Sequence, residues 1–226
     1  MFEPFRYLAD TLHLSAVILL ALRIWSYKSC RGVSYRTQEI YLVVFLSRYM
    51  FSLLKKVSLQ NPYTFLMKLT FIGMTLVTIY LIRVKKPQAL TYEKTHDKLP
   101  HYYTIYPLAA LLTVLFHVSI SENIFKVYFW SFSIILESFA ILPQLYMLRQ
   151  VNDLEVFTSR YVICLGLYRL LYILTWIQRG LFEYEWNRNY MYFEMIFGIL
   201  QTALLGDFCF RLFKHFREKK LVTIPI

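Results

Sequence analysis

Residues 130–149 read WSFSIILESFAILPQLYMLR: an apolar run with one carboxylate, Glu137, inside it and a Leu142-Pro143-Gln144-Leu145 break at its end. About 20 apolar residues at 1.5 Å each cross the ~30 Å hydrocarbon core of a bilayer. A carboxylate at that depth costs about 2.5–3.5 kcal/mol even on an insertion scale, so it needs a partner, and an intramembrane ionisable residue points to a functional site. The stretch therefore reads as a transmembrane helix of an all-α integral membrane protein whose site lies around Glu137.

Working outward, further apolar stretches fall at 5–24, 39–54, 63–82, 103–120, 157–181 and 190–213, with the quoted run belonging to 127–148. Each is near spanning length, which makes seven helices and puts the termini on opposite sides. The basic loops agree. Arg23, Lys28, Arg31, Arg36, Arg83, Lys85, Lys86, Lys94, Lys98, Arg149, Arg160, Arg211, Lys214, Arg217, Lys219 and Lys220 fall on one side, against Arg6, Lys55, Lys56, Lys126, Arg179 and Arg188 on the other. The positive-inside rule then puts the C-terminus in the cytosol and the N-terminus outside it. One domain over 1–226 is expected, with 214–226 as a short cytosolic tail. Seven spans accommodate two three-helix halves joined by an inverting fourth helix, as in SWEET and PQ-loop carriers, although internal identity between the halves is weak.

Composition narrows the function classes. The net charge of +11 is distributed over short loops rather than one face, which topology explains better than nucleic-acid binding. Cys30, Cys164 and Cys209 have no CxxC spacing and are odd in number, so neither a disulfide framework nor a metal site is indicated. MFEPFRYLAD lacks the features of a cleaved signal peptide, so the first span is expected to stay in the mature protein. No Ser/His/Asp arrangement, glycine-rich phosphate loop or metal-ligand spacing is present; an enzyme is not expected, nor any cofactor.

The charged residues within the spans share faces. At about 100° per residue, Tyr168, Arg169, Tyr172, Thr175, Trp176 and Arg179 form one stripe along the sixth span, a pattern that suits a polar cavity rather than lipid. Arg169 and Arg179 are ten residues apart, about 15 Å along the helix axis, close to the ~13–14 Å of four extended residues. A short acidic peptide fits such a ladder, each guanidinium taking a carboxylate bidentately. Arg6, Asp10 and His13 share a face of span one by their spacing. His13 suits a switch across mildly acidic pH, since imidazole ordinarily titrates near pH 6.5. Trp130, Glu137 and Gln144 are heptad-spaced on span five, and Arg48 and Tyr49 lie in span two. If these faces converge, a cationic cavity results, complementary to an anionic ligand. Asp207 in span seven is compatible with either a functional role or a helix–helix pairing.

FRYLADTLHL, GVSYRTQ, SRYM, WSFSIILESFAILPQLYML, LYRLLYILTWIQR, LQTALLGDF and KKLVTIPI, in that order along the chain, resemble the signatures of ER lumen protein-retaining receptors, the KDEL or HDEL receptors. The resemblance implies a seven-helix receptor with a SWEET-like fold in ER and Golgi membranes. Such a receptor binds the C-terminal tetrapeptide of escaped luminal proteins in the acidic Golgi, returns them in COPI vesicles and releases them at neutral pH. It implies that Arg48, with Tyr49 beside it, receives the terminal carboxylate, and that Arg6 and Arg179 hold the acidic residues of the signal. Trp130, Arg169, Tyr172 and Trp176 would line the same cleft, while His13, Glu137, Tyr168 and Arg169 would form the pH switch. Lys219 and Lys220 would present the tail to the coat, and Asp207 matches an aspartate linked to retrieval.

Phe51 and Val127 stand where typical members carry acids near the first residue of the signal, so tolerance of an uncharged or apolar first residue is expected; Thr175 replaces a usual asparagine. Two other readings compete. A carrier of a small anionic solute would account for the Pro143-Gln144 pair, but not for a peptide-length arginine ladder or a di-lysine tail. A receptor-like protein that no longer retrieves cargo would account for Phe51 and Val127, but not for the four matching arginines.

Overall fold

The computed structural model describes residues 4–53, 62–116, 124–148, 156–182 and 188–222. Its helices are α1 (Pro4–Tyr27), α2 (Tyr35–Leu53), α3 (Pro62–Arg83), α4 (Ile105–Phe116), α5 (Ile124–Phe139), α6 (Leu142–Leu148), α7 (Val156–Phe182) and α8 (Arg188–Val222), with one 3-10 turn at Gln88–Thr91. Among the described residues there is no strand. Among the described residues, three segments are long and apolar enough to cross a membrane: Pro4–Tyr27, Pro62–Arg83 and Ile124–Met147. In α2 and α7 the hydropathy is lowered by residues that turn inward, among them Arg48, Arg169 and Arg179.

α1 packs along α7 and α3, α2 along α5 and α3, and α8 closes against α7 and α5. The buried face of α1 carries Ala9, Ala16 and Ala21, small residues that let helix backbones approach closely. Val17, Val44, Phe45, Phe71, Ile135, Leu136 and Phe197 form one apolar cluster, and Leu20, Ile24, Leu81, Ile141, Leu165 and Tyr168 contribute to another. Large apolar side chains also face outward, including Leu22, Leu66, Val114, Leu170 and Ile196. A soluble monomer would not leave so much apolar surface to water, whereas lipid accepts it.

The fifth expected span is not one helix. α5 ends at Phe139 and α6 starts at Leu142; the Ala140 N–H bonds the Glu137 carbonyl at 3.2 Å, a tightening of the last turn, just before Pro143. Proline has no N–H to give the preceding turn, so the helix is interrupted. The interruption corrects the expected face of Trp130, Glu137 and Gln144. Gln144 leaves the cavity side; its side-chain oxygen accepts from the Ser34 N–H at 2.8 Å, its amide donates to the Gly32 carbonyl at 2.7 Å, and its backbone N–H bonds Thr37 Oγ1 at 3.0 Å.

Gln144 thereby ties α6 to the loop before α2. Ser34 Oγ accepts from the Thr37 N–H at 3.1 Å, a helix N-cap, and donates to Asp97 at 3.0 Å. Asp97 also accepts from the Tyr92 hydroxyl at 2.7 Å and the Arg36 N–H at 3.2 Å, joining the loops before α2 and α4. Burial and this carboxylate push the Tyr92 phenol above its ordinary range, so it remains a donor. Cys30 is buried in this region, and all three cysteines are free.

Candidate functional site

Opposite this polar loop cluster the helices diverge around a cavity of about 790 Å³. That size is typical of a pocket that encloses a small ligand. α1 supplies Arg6, Asp10 and His13; α2 supplies Arg48 and Tyr49; α3 supplies Tyr63, Lys68 and Phe71. α5 contributes Trp130 and Glu137, α7 contributes Arg169, Tyr172, Thr175, Trp176 and Arg179, and α8 contributes Glu194, Gly198 and Gln201. The structure thus brings into one cavity all eight residues expected to face a peptide: Arg6, Arg48, Tyr49, Trp130, Arg169, Tyr172, Trp176 and Arg179.

Glu137 is the electrostatic centre. Its side chain is 5% exposed and is clamped by two guanidinium groups, Arg48 Nη2 on Oε2 at 2.5 Å and Arg169 Nη2 on Oε1. The resemblance groups Glu137 with Arg169 in the pH switch; the clamp adds Arg48. Arg48 Nε also donates to Ser133 Oγ at 3.1 Å, which fixes the plane of its fork. The Tyr168 hydroxyl donates to Glu137 at 3.4 Å and accepts from Arg169 Nε at 3.1 Å; Gln201 approaches it at 3.5 Å. Two arginines on one carboxylate leave an excess cation in a largely buried site, and that excess favours an anionic ligand.

His13 lies beneath this clamp, its ring stacked on Tyr168 with centroids 4.1 Å apart and planes 1° apart, and tilted against Phe71 at 4.8 Å. Tyr168, expected in the switch, is fully buried behind the cavity wall rather than lining it. One turn above His13 on α1, Asp10 accepts from the Tyr172 hydroxyl and approaches Arg6 at 4.0 Å. Tyr172 stands edge-on to Tyr168 and leads to Trp176 at 6.2 Å, so the rings of α7 line the wall between Arg169 and Arg179. The lining carries five cations, Arg6, Arg48, Lys68, Arg169 and Arg179, and three acids, Asp10, Glu137 and Glu194.

Asp207 is exposed on α8, outside the cavity lining. Lys219 and Lys220 fall in the last turns of α8, and their side chains lie outside the described residues. No group of three or more His, Cys, Asp or Glu capable of holding a metal occurs among the described residues. Phe51 and Val127 do not line the cavity; Phe51 packs on Phe129 of α5 at 5.8 Å, and Val127 is buried.

Lys68, Glu194 and Gly198 were not singled out by the sequence reading. Lys68 in FLMKLTF and Glu194 in YFEMIF are charges within apolar runs, so the criterion that found Glu137 applies to both. Lys68 Nζ bonds Ser52 and lies 5.9 Å from the centre of the Tyr49 ring. Gly198 had no sequence signal, because its role is tertiary: a Cβ there would sit 2.0 Å from Trp176 Cη2 and 2.3 Å from Cζ3. Gly198→Ala must displace a rigid indole, and it is expected to cost about 1–3 kcal/mol of stability, as overpacking does. Thermal unfolding of the purified variant, with the near-ultraviolet tryptophan signal followed in parallel, measures this; an unchanged midpoint and spectrum would contradict the contact.

Comparison with known proteins gives the same direction. Residues 29–179 match the family described as ER lumen protein retaining receptor. The chain is 36% identical over 222 residues to the ER lumen protein-retaining receptor of Petunia hybrida, with 98% of each chain covered. It is 36% identical over 224 residues to ER lumen protein-retaining receptor 2 of Danio rerio, again with 98% of each covered. Identity to the receptor of Plasmodium falciparum is 41% over 204 residues, covering 90% of this chain and 89% of that one. On these matches, and with a helical membrane scaffold around an arginine-rich cavity, the chain belongs to the ER lumen protein-retaining receptor family.

Proposed function

We propose that the chain is a sorting receptor that binds a C-terminal Lys/His-Asp-Glu-Leu-like retention signal in the acidic Golgi and, through COPI vesicles, returns its owner to the ER for release at neutral pH. The proposal includes one seven-span, SWEET-like domain over 1–226, with a luminal N-terminus and with 214–226 as a cytosolic tail bearing Lys219 and Lys220 for the coat. The observation that carries it is the convergence of Arg6, Arg48, Arg169 and Arg179 on one cavity of about 790 Å³.

The chemistry follows from the clamp. Arg48, with Tyr49 beside it, can offer a free terminal carboxylate the guanidinium it now gives Glu137, a fork that takes a carboxylate bidentately. Arg6 and Arg179, which line the same cavity, are then left for the acidic side chains of the signal. Peptide and Glu137 compete for the same guanidinium groups, so whatever draws Glu137 away raises affinity. Protonating His13 does that: it places a cation near the Glu137 carboxylate and attracts it from Arg48. The sign is therefore tighter binding at acidic pH, lost as the ring deprotonates. A hundredfold change corresponds to about 2.7 kcal/mol, within the range of one rearranged buried ion pair. Phe51, packed on Phe129, and the buried Val127 supply no charge for a basic first residue.

The test is binding of C-terminal tetrapeptides, with an amidated control, to the purified chain at about pH 5.4 and 7.4, values bracketing imidazole titration. Acid-favoured binding that needs the free carboxylate is the expected result; no binding by any peptide would remove the reading. For His13→Ala, the expected outcome is a flattened pH dependence in the same assay. A ratio between the two pH values equal to that of the unmodified chain would place the sensor elsewhere.

A further inference from the structure

The retention-signal reading leaves two acids of the cavity unused, Asp10 and Glu194. Glu194 lies on α8, half-buried, and lines the cavity. Its carboxylate accepts a hydrogen bond from the Trp176 side chain, and Arg179 lies near it on the same cavity lining. The other two acids are already engaged by the protein: Glu137 in the clamp of Arg48 and Arg169, and Asp10 with Tyr172 and Arg6.

The surroundings of Glu194 are aromatic. Phe193, the preceding residue, packs on Trp130 at 6.0 Å and on Phe197 at 5.0 Å, which anchors this part of α8 against α5. Gly198, one turn further along, admits the edge of Trp176 and so keeps that indole beside the carboxylate. A carboxylate beside an indole suits an ammonium or guanidinium, which gains both the charge and the ring quadrupole. Next to it Arg179 offers an anion site. The protein therefore presents an anion-binding and a cation-binding group side by side, and the complement is a ligand segment with neighbouring acidic and basic side chains. An acid arriving at Arg179 also relieves Glu194 of a cationic neighbour, leaving its charge for the basic group.

We propose that Glu194 is a specificity-determining residue of this cavity, taking the basic side chain of a peptide whose adjacent acidic residue is held by Arg179. The inference rests on the peptide reading above. It moves to α8 a selection for which the apolar Phe51 and Val127 have no charge.

The experiment compares tetrapeptides ending in Asp-Glu-Leu with Lys, Gln or Glu as first residue, bound to the purified full-length chain at mildly acidic pH. The unmodified chain is expected to favour Lys over Gln about tenfold, the size of one partly desolvated ion pair. In Glu194→Gln that ratio should fall to near one, and in Glu194→Lys the order should invert toward the Glu-first peptide, a gain that a misfolded protein cannot show. Glu93→Gln, in the loop before α4 and paired with Arg31, serves as a control whose ratio should not move. Peptides that bind without discrimination, or with a ratio unaltered by Glu194→Gln, overturn the role of Glu194 and leave the peptide reading standing. Absence of any carboxylate-dependent binding overturns both.

Discussion

Arg48→Ala is expected to lower affinity for the retention peptide by about two to three orders of magnitude at every pH. Removing one partner of a desolvated, hydrogen-bonded charge pair costs about 2–5 kcal/mol in binding, and each 1.4 kcal/mol is a factor of ten. The fork of Arg48 is pre-set by Ser133 at 3.1 Å and by Glu137 at 2.5 Å, so little ordering is lost when a carboxylate takes the place of Glu137. The variant should still fold, because Glu137 keeps Arg169. Arg48→Lys separates charge from geometry: an ammonium retains the positive charge but not the planar fork, so only part of the affinity should return. Isothermal titration of the purified variants gives the answer. Full affinity in Arg48→Ala would show that the carboxylate binds elsewhere.

Glu137→Ala acts on the fold first. It leaves the guanidinium groups of Arg48 and Arg169 facing one another without their shared carboxylate, in a site where Arg169 is 6% exposed. Breaking a buried ion pair from one side costs about 3–5 kcal/mol, because the remaining charge is uncompensated. Thermal unfolding in a fixed detergent should therefore show a large fall in midpoint. The double variant Glu137→Ala with Arg169→Met should recover much of it, since the pair of charges is removed together. In Glu137→Gln the amide oxygen still accepts a bond but carries no charge, so stability should fall less while the peptide, no longer in competition, binds with weaker pH dependence. A midpoint in Glu137→Ala equal to that of the unmodified chain would contradict the clamp as a structural element.

The sequence and the structure differ most at the end of span five. Heptad spacing put Trp130, Glu137 and Gln144 on one face, which assumes a continuous helix. The break before Pro143 resets the helix direction, and Gln144 goes to the loop cluster of Gly32, Ser34 and Thr37. Proline signalled the break; the direction taken after it depended on which polar groups were waiting at the far end. Glu194 and Lys68 are different cases, since both were legible as charges in apolar runs and needed only the same reading that Glu137 received.

What the sequence determined by itself was local and periodic. Apolar length, the loop distribution of Lys and Arg, and the stripe of Tyr168, Arg169, Tyr172, Thr175, Trp176 and Arg179 follow from rise and angle per residue, and those constants hold wherever the helix is placed. Its motifs were also sufficient to indicate the family. What only the tertiary structure decided was partnership. That Glu137 is shared by Arg48 and Arg169, that His13 lies flat on Tyr168, and that Gly198 makes room for Trp176 all join residues from different helices. Charge balance and van der Waals contact act over a few ångströms in space, and sequence separation carries no record of which helices will stand that close.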